Sequence, residues 1–275
     1  MVYHRFKSFL ARSKRCRLFK ELASQVWSDV IMHHQSKVDP HEDGITNRLI
    51  AQIRRSHLYW PNVSIWANRG QKEDISGSDI DIFVETKENL FVWWALQAKV
   101  LKQNGRYSNL KKQSHGTYQW EKLDRLSQVS GCIPKYLFYN GVRKFKSNGI
   151  DGCHNSFNEN QFGCSLVDID VVENFVLSGK NKFTDYHPDH TEPWRIIVCC
   201  YFNNEGSEVK TYTINQVKNS LSHYESIVGD LGINDESGYD LKNDRPIEAI
   251  NNFSDNVRRN PKYRFVIRRT NSIKN

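Results

Sequence analysis

The sequence predicts an α/β protein whose core, residues 38–146, runs helix, strand, strand, strand, helix, strand. Three observations carry this. Residues 80–85 alternate acidic or aromatic with aliphatic side chains, and the apolar run 90–101 follows across the turn 86–89, as in a β-hairpin. Helical spacing of apolar residues marks 39–53 and 116–129. Residues 133–139 then form an apolar run closed by Asn140-Gly141, a turn signal.

The elements follow in chain order. Residues 12–35 place Leu18, Leu22, Val26, Trp27 and Val30 at helical intervals. Asp39-Pro40 reads as a helix start, with Asp as N-cap and Pro in the first turn, and Ile45, Leu49, Ile50 and Ile53 form its apolar face. Residues 58–66 suit a strand interrupted by Pro61-Asn62, and 68–78 a polar loop. The hairpin strands come next, then a basic loop at 104–114 and a helix with Trp120, Leu123 and Leu126 on one side. Beyond 146 the pattern weakens. Residues 147–160 read as a loop, 166–177 as helix or strand, 194–202 as a buried strand, 215–228 as a helix and 264–268 as a short final strand. Three parts are therefore expected: a basic helical segment at 1–37, the core at 38–146, and a C-terminal α+β extension at 147–275 packed on it.

Composition excludes several classes. The 275 residues include seven Trp, fourteen Phe and twelve Tyr, ample for a core. The longest nearly apolar runs, 91–96 and 196–202, fall far short of the ~20 residues of a membrane span, so no membrane partner is expected. The basic N-terminus is not followed by an apolar signal core. Six cysteines, with no C-x-x-C pair among them, read as reduced buried thiols of a cytoplasmic protein. His154, His187 and His190 lie in polar segments and read as solvated, and Asn140 reads as a turn residue.

The net charge of +8 is unevenly spread. Residues 99–146 carry eleven basic and two acidic side chains, net +9, whereas 203–257 carry four basic and ten acidic, net −6. A concentrated basic block points to a polyanion.

That block begins where the chemistry gathers. Asp79 and Asp81 are two apart at the opening of one hairpin strand and share its face, while Gln97 and Lys99 share a face of the other. Pairing the aliphatic faces puts all four on one side. Carboxylates and an amide oxygen suit a hard cation such as Mg²⁺ or Mn²⁺, and a lysine beside them can orient an attacking water. Glu42, at the start of the helix that packs on the sheet, is placed to join them, although it also suits the third position of a capping box begun by Asp39. Lys102, Arg106, Lys111 and Lys112 follow the second strand and are candidates for phosphate contact. Tyr107 is a candidate for stacking on a base or for packing.

The order Glu42, Asp79, Gln97-Ala98-Lys99 within an αβββαβ core resembles the PD-(D/E)xK, or restriction-endonuclease-like, superfamily in its Gln-x-Lys, Mrr-type form. More narrowly the chain is similar to a bacterial group of that superfamily, through Gly77-Ser78-Asp79, Leu96-Gln97-Ala98-Lys99, Arg106-Tyr107-Ser108-Asn109-Leu110, Tyr136-Leu137-Phe138-Tyr139-Asn140, Gly163-Cys164-Ser165 and Trp194. The likeness spans roughly residues 40–202. It implies a mixed central sheet flanked by helices, and a metal-dependent nuclease acting on DNA in preference to RNA, in defence against foreign DNA. It implies Asp79 as principal metal ligand, the Ala98 carbonyl as a second, Glu42 and Asp81 as further candidates, and Lys99 as the catalytic lysine. Gln97 stands where most members carry Glu, and Ser78 where they carry Pro. Residues 147–275 are candidates to extend the sheet, to form the interface of a homo-oligomer, foremost a dimer, or to bind a partner that triggers activity.

Two other readings compete. Residues 77–85 also resemble the Asp-x-Asp strand of DNA polymerase beta-type nucleotidyltransferases, with Asp79 and Asp81 binding metal and nucleotide. That family needs a Gly-Ser pair upstream, where this chain has Ile65-Trp66-Ala67-Asn68, and it gives no reason for Gln97-Ala98-Lys99. A non-catalytic nucleic-acid-binding module would keep the basic surface without turnover.

Overall fold

The computed structural model describes residues 2–56, 63–67, 77–114, 116–147, 157–199, 209–221, 224–228 and 261–268. Within them α1 (Val2–Gln35) and α2 (Glu42–Ser56) precede β1 (Val63–Ala67), β2 (Ile80–Lys87) and β3 (Leu90–Val100). A small ribbon, β4 (Gln113–Ser114) with β5 (Thr117–Tyr118), leads into α3 (Gln119–Ser130) and β6 (Ile133–Tyr139). A 3₁₀ turn (Glu159–Gly163), β7 (Cys164–Asp168), α4 (Ile169–Leu177), α5 (Phe183–Tyr186), β8 (Glu192–Pro193) and α6 (Ile196–Cys199) follow. Then come β9 (Tyr212–Thr213), α7 (Ile214–Ser220), β10 (Glu225–Val228) and β11 (Tyr263–Ile267).

Nine of the strands form one mixed sheet in the order β10-β1-β11-β2-β3-β6-β7-β8, with β9 on the first residues of β3. The protein is thus α/β, with an open mixed sheet flanked by helices. β2 and β3 are the expected antiparallel hairpin, and β6 returns parallel to β3 through α3. Ile80, Ile82 and Val84 share one buried face with Val92, Trp94 and Leu96, as the alternation required. Phe83, Trp93 and Ala95 face the other way, towards Trp120, Leu123 and Leu126 of α3.

The final strand takes a place no local pattern announces. β11 is inserted between β1 and β2, antiparallel to the first and parallel to the second. Its five residues are all buried, as a strand inside a sheet with both faces covered requires. α1 is equally part of the body. Its Leu18, Leu22, Val26 and Val30 are buried, and the Phe19 carbonyl accepts a hydrogen bond of 2.8 Å from the Trp194 indole. A Cβ on Gly163 would stand 1.9 Å from the Ala23 carbonyl of α1, so only glycine allows this approach.

Several expectations are corrected. The apolar run from Trp194 is not a strand over its described part. It is the helical turn α6, because a short apolar run without alternation is equally a buried helix. Residues 215–228 are not one helix but α7 followed by β10, and 166–177 divides at Asp168 into β7 and α4. α2 begins at Glu42 rather than Pro40. Asp39 is not its cap, since its carboxylate accepts from the Gln103 backbone N–H at 3.1 Å instead. The loop 68–76 and Cys153, His154 and Cys200 lie outside the described residues. Cys16, Cys132, Cys164 and Cys199 are free thiols.

Candidate active site

Asp79 is set in place by the turn before β2. Gly77 has φ +72°, and a Cβ there would meet the Lys122 Cβ at 2.9 Å and the Gln119 carbonyl at 3.0 Å, so the chain can pass α3 only as glycine. The Asp79 N–H then extends the ladder to Leu96 O at 2.8 Å. Its carboxylate Oδ2 accepts from the Ala98 N–H at 2.8 Å and from Gln97 Nε2. The same Nε2 donates to the Ala98 carbonyl at 3.3 Å.

Lys99 lies two residues further along β3, opposite Phe138 of β6. It is 4 % exposed and makes no hydrogen bond or ion pair with any described residue. Its side chain lines a cleft rather than meeting a described partner, so an anion or a polar ligand there can pair with it. Its surroundings supply the opening. A cleft of about 110 Å³ gathers Glu42, Asp79, Gln97, Ala98, Lys99 and Lys112 of the expected residues. Thr46, Gln119, Lys122, Lys262 and Tyr263 also line it and were missed. Lys122 lies on a helix face that reads as ordinary solvated charge, and Lys262 and Tyr263 are brought in by β11 from almost two hundred residues away.

Electrostatics tie the carboxylates to one place. Burial chiefly, then the negative charge of Asp79, pushes the Tyr136 phenol upward. The Tyr139 phenol is likewise raised by burial, then by the Cys164 thiol, with Asp79 and Glu42 contributing less, and it is hydrogen-bonded to Thr46 at 2.9 Å. At the rim Lys262 pairs with Asp43 at 3.1 Å.

Not every expected residue is brought here. Asp81 is wholly buried away from the cleft, with Ser78 Oγ donating to it at 3.2 Å and Arg264 Nε 3.3 Å away in an ion pair. Burial raises its carboxyl from 3.8 to about 6, with Arg264 pulling the other way. Arg264 in turn donates to the Ser220 carbonyl and lies 4.5 Å from the Tyr224 ring. Lys102 donates to the Pro40 carbonyl at 2.7 Å and Arg106 to Asn181 at 2.6 Å. Neither of these, nor the exposed Lys111, lines the cleft.

Among the described residues no group of three or more His, Cys, Asp and Glu stands close enough to hold an ion alone. The cleft instead offers two expected carboxylates, Glu42 and Asp79, with the Ala98 carbonyl, all hard oxygens, while Gln97 turns its NH₂ towards Asp79 and that carbonyl. Such a set fits Mg²⁺ or Mn²⁺ in the way these ions are usually held, by one or two carboxylates completed by waters and substrate phosphate.

A second polar cluster is closed to solvent. Tyr107 is buried, stacked on Phe138 with ring centroids 4.0 Å apart, and its hydroxyl donates to Asn140 Oδ1 at 2.5 Å, so it is unavailable to stack on a base. Asn140 Nδ2 donates to Phe162 O at 2.8 Å and Ser165 Oγ at 2.9 Å. Ser165 Oγ meets His187 Nε2 at 2.8 Å, and His187 Nδ1 meets Phe183 O at 3.2 Å. Because a carbonyl only accepts, Nδ1 carries the proton and Nε2 accepts. His187, expected to be solvated, is 5 % exposed, and burial pushes it down to about 3, so it is neutral. Asn140 is likewise a core residue rather than a turn residue.

No helix among the described residues is long and apolar enough to cross a membrane. No curated protein and no solved structure matches the chain. Residues 15–272 match the family of unknown function DUF6615, and the chain belongs to that family.

Proposed function

We propose that the protein is a metal-dependent nuclease of the PD-(D/E)xK type, hydrolysing phosphodiester bonds, of DNA in preference to RNA. The observation that carries this reading is Lys99, a buried side chain that pairs with no described residue and lines a cleft shared with Asp79 and Glu42.

Glu42, Asp79 and the Ala98 carbonyl are the groups that would hold Mg²⁺ or Mn²⁺. When bound, the ion polarises a phosphate oxygen and eases deprotonation of the attacking water. Lys99 orients that water and offsets negative charge gathering on the phosphate. Lys112, Lys122 and Lys262 around the opening draw the backbone in. A role in defence against foreign DNA belongs to this reading by resemblance alone.

The transferase reading needs Asp79 and Asp81 at one metal, and Asp81 is instead buried against Arg264. Plasmid, linear and single-stranded DNA incubated with Mg²⁺ or Mn²⁺ test the proposal. Wild type cleaves, and Asp79→Ala and Lys99→Ala do not. Cleavage surviving both substitutions would sink the site, and tight binding without turnover under either metal would make the protein a binding module.

A further inference from the structure

The Gln97 amide group makes two contacts that bear on how the cleft is loaded. Its Nε2 donates to Asp79 Oδ2 and, at 3.3 Å, to the Ala98 carbonyl. Those are two of the oxygens that the proposed nuclease would turn towards its cation. Both protons of one NH₂ group are therefore spent on the two ligands, and the partial positive charge of the amide sits between them. The Ala98 N–H holds the same carboxylate oxygen at 2.8 Å, so Asp79 is already in position. Gln97 is 3 % exposed and stands on β3.

We infer that Gln97 is a removable plug: its side-chain amide lies between Asp79 and the Ala98 carbonyl, where a divalent ion would be held, and must turn away before one is. The inference rests on the nuclease reading and adds a reason for glutamine at this position. A glutamate would carry no N–H to donate to Asp79 and would add a second negative charge beside it. Glutamine adds no charge at that point and makes loading conditional. An ion entering alone has to break two hydrogen bonds, one of them to a carboxylate. An ion arriving with a phosphate gains a further oxygen ligand. Metal and nucleic acid therefore bind cooperatively, and by linkage each raises the affinity of the other equally.

The test is calorimetric titration of Mn²⁺ into the full chain without nucleic acid. Gln97→Met keeps the length and volume of the side chain and removes both N–H groups. The expected result is Mn²⁺ binding about tenfold or more tighter than in wild type. Unchanged or weaker binding overturns the plug and makes the amide a bystander or a ligand. A second readout needs no variant. The side-chain ¹⁵N–¹H signals of Gln97 in wild type should shift and lose protection from exchange on saturation with Mg²⁺, and signals that stay put overturn the inference. If neither wild type nor variant binds Mn²⁺ with or without DNA, the nuclease reading fails and the plug with it. Equal affinities with metal-dependent cleavage intact overturn the plug alone.

Discussion

The cleft beside β3 and the closed network behind β6 both bury polar side chains, but they resolve them differently. In the network Tyr107, Asn140, Ser165 and His187 pair with one another and with backbone carbonyls. In the cleft Lys99 is buried to the same degree and pairs with nothing described. A polar group completed from within holds a fold together. One left incomplete in an opening is poised for something from outside. The same contrast separates Asp79, which faces the cleft, from Asp81 two residues later, which is locked to Arg264.

The largest expected effect breaks the comparison at the cleft. Asp79→Ala and Lys99→Ala should each lower cleavage by ~10²-fold or more, measured on plasmid DNA at fixed Mn²⁺. Lys99→Met should be equally inactive yet melt no lower than wild type, because a side chain that pairs with no described residue is exchanged for a hydrocarbon of similar size. A lower melting temperature would move Lys99 into the structural class.

The network predicts the reverse. Asn140→Ala strands the Tyr107 hydroxyl, the Ser165 hydroxyl and the Phe162 carbonyl, and should cost about 2–4 kcal/mol in urea unfolding. Cleavage per folded molecule should be unchanged.

Two buried groups sharpen the contrast through pH. Asp81 has its folded pKa raised from 3.8 to about 6, so between these values the folded chain holds a proton that the unfolded chain has lost. Stability from this group falls as pH rises, by up to about 1.4 kcal/mol per unit. His187 is lowered from 6.5 to about 3, so between these values the unfolded chain holds the extra proton and stability rises with pH by a similar slope. Between pH 4 and 6 the two oppose each other in wild type. Asp81→Asn should unmask the rising slope and His187→Gln the falling one, read from denaturant midpoints across pH.

The smallest effects belong to the rim. Lys112→Gln, Lys122→Gln and Lys262→Gln should each weaken DNA binding a few-fold and reduce the salt slope by about 1. Lys111→Gln should change neither. Fluorescence anisotropy at two salt concentrations checks this, and equal effects at all four positions would return the phosphate surface to the whole basic block.

Much of the core was readable locally. The spacing of Leu18, Leu22, Val26 and Val30, the alternation of Ile80, Ile82 and Val84, and the stripe of Trp120, Leu123 and Leu126 each bury the face they indicate. So do the positions of Asp79, Gln97 and Lys99 on one side of the hairpin. The buried role of His187 was not readable, because polar neighbours such as Asp185, Asp189 and His190 make its segment look solvated. Nor was Lys122, whose approach to Asp79 depends on how closely Gly77 lets α3 come.

The sequence by itself determined which side of each strand and helix carries polar groups, since that follows from backbone periods of 2 and 3.6 residues. Only the tertiary structure decided how deep each polar group lies and what meets it. β11 runs beside β2 with Arg264 directly opposite Asp81, which seals that carboxylate in an ion pair. Asp79 stands one residue before β2 begins, with Tyr263 at the edge of its cleft. Two aspartates that alternation alone makes equivalent are divided by a strand that joins them from the far end of the chain.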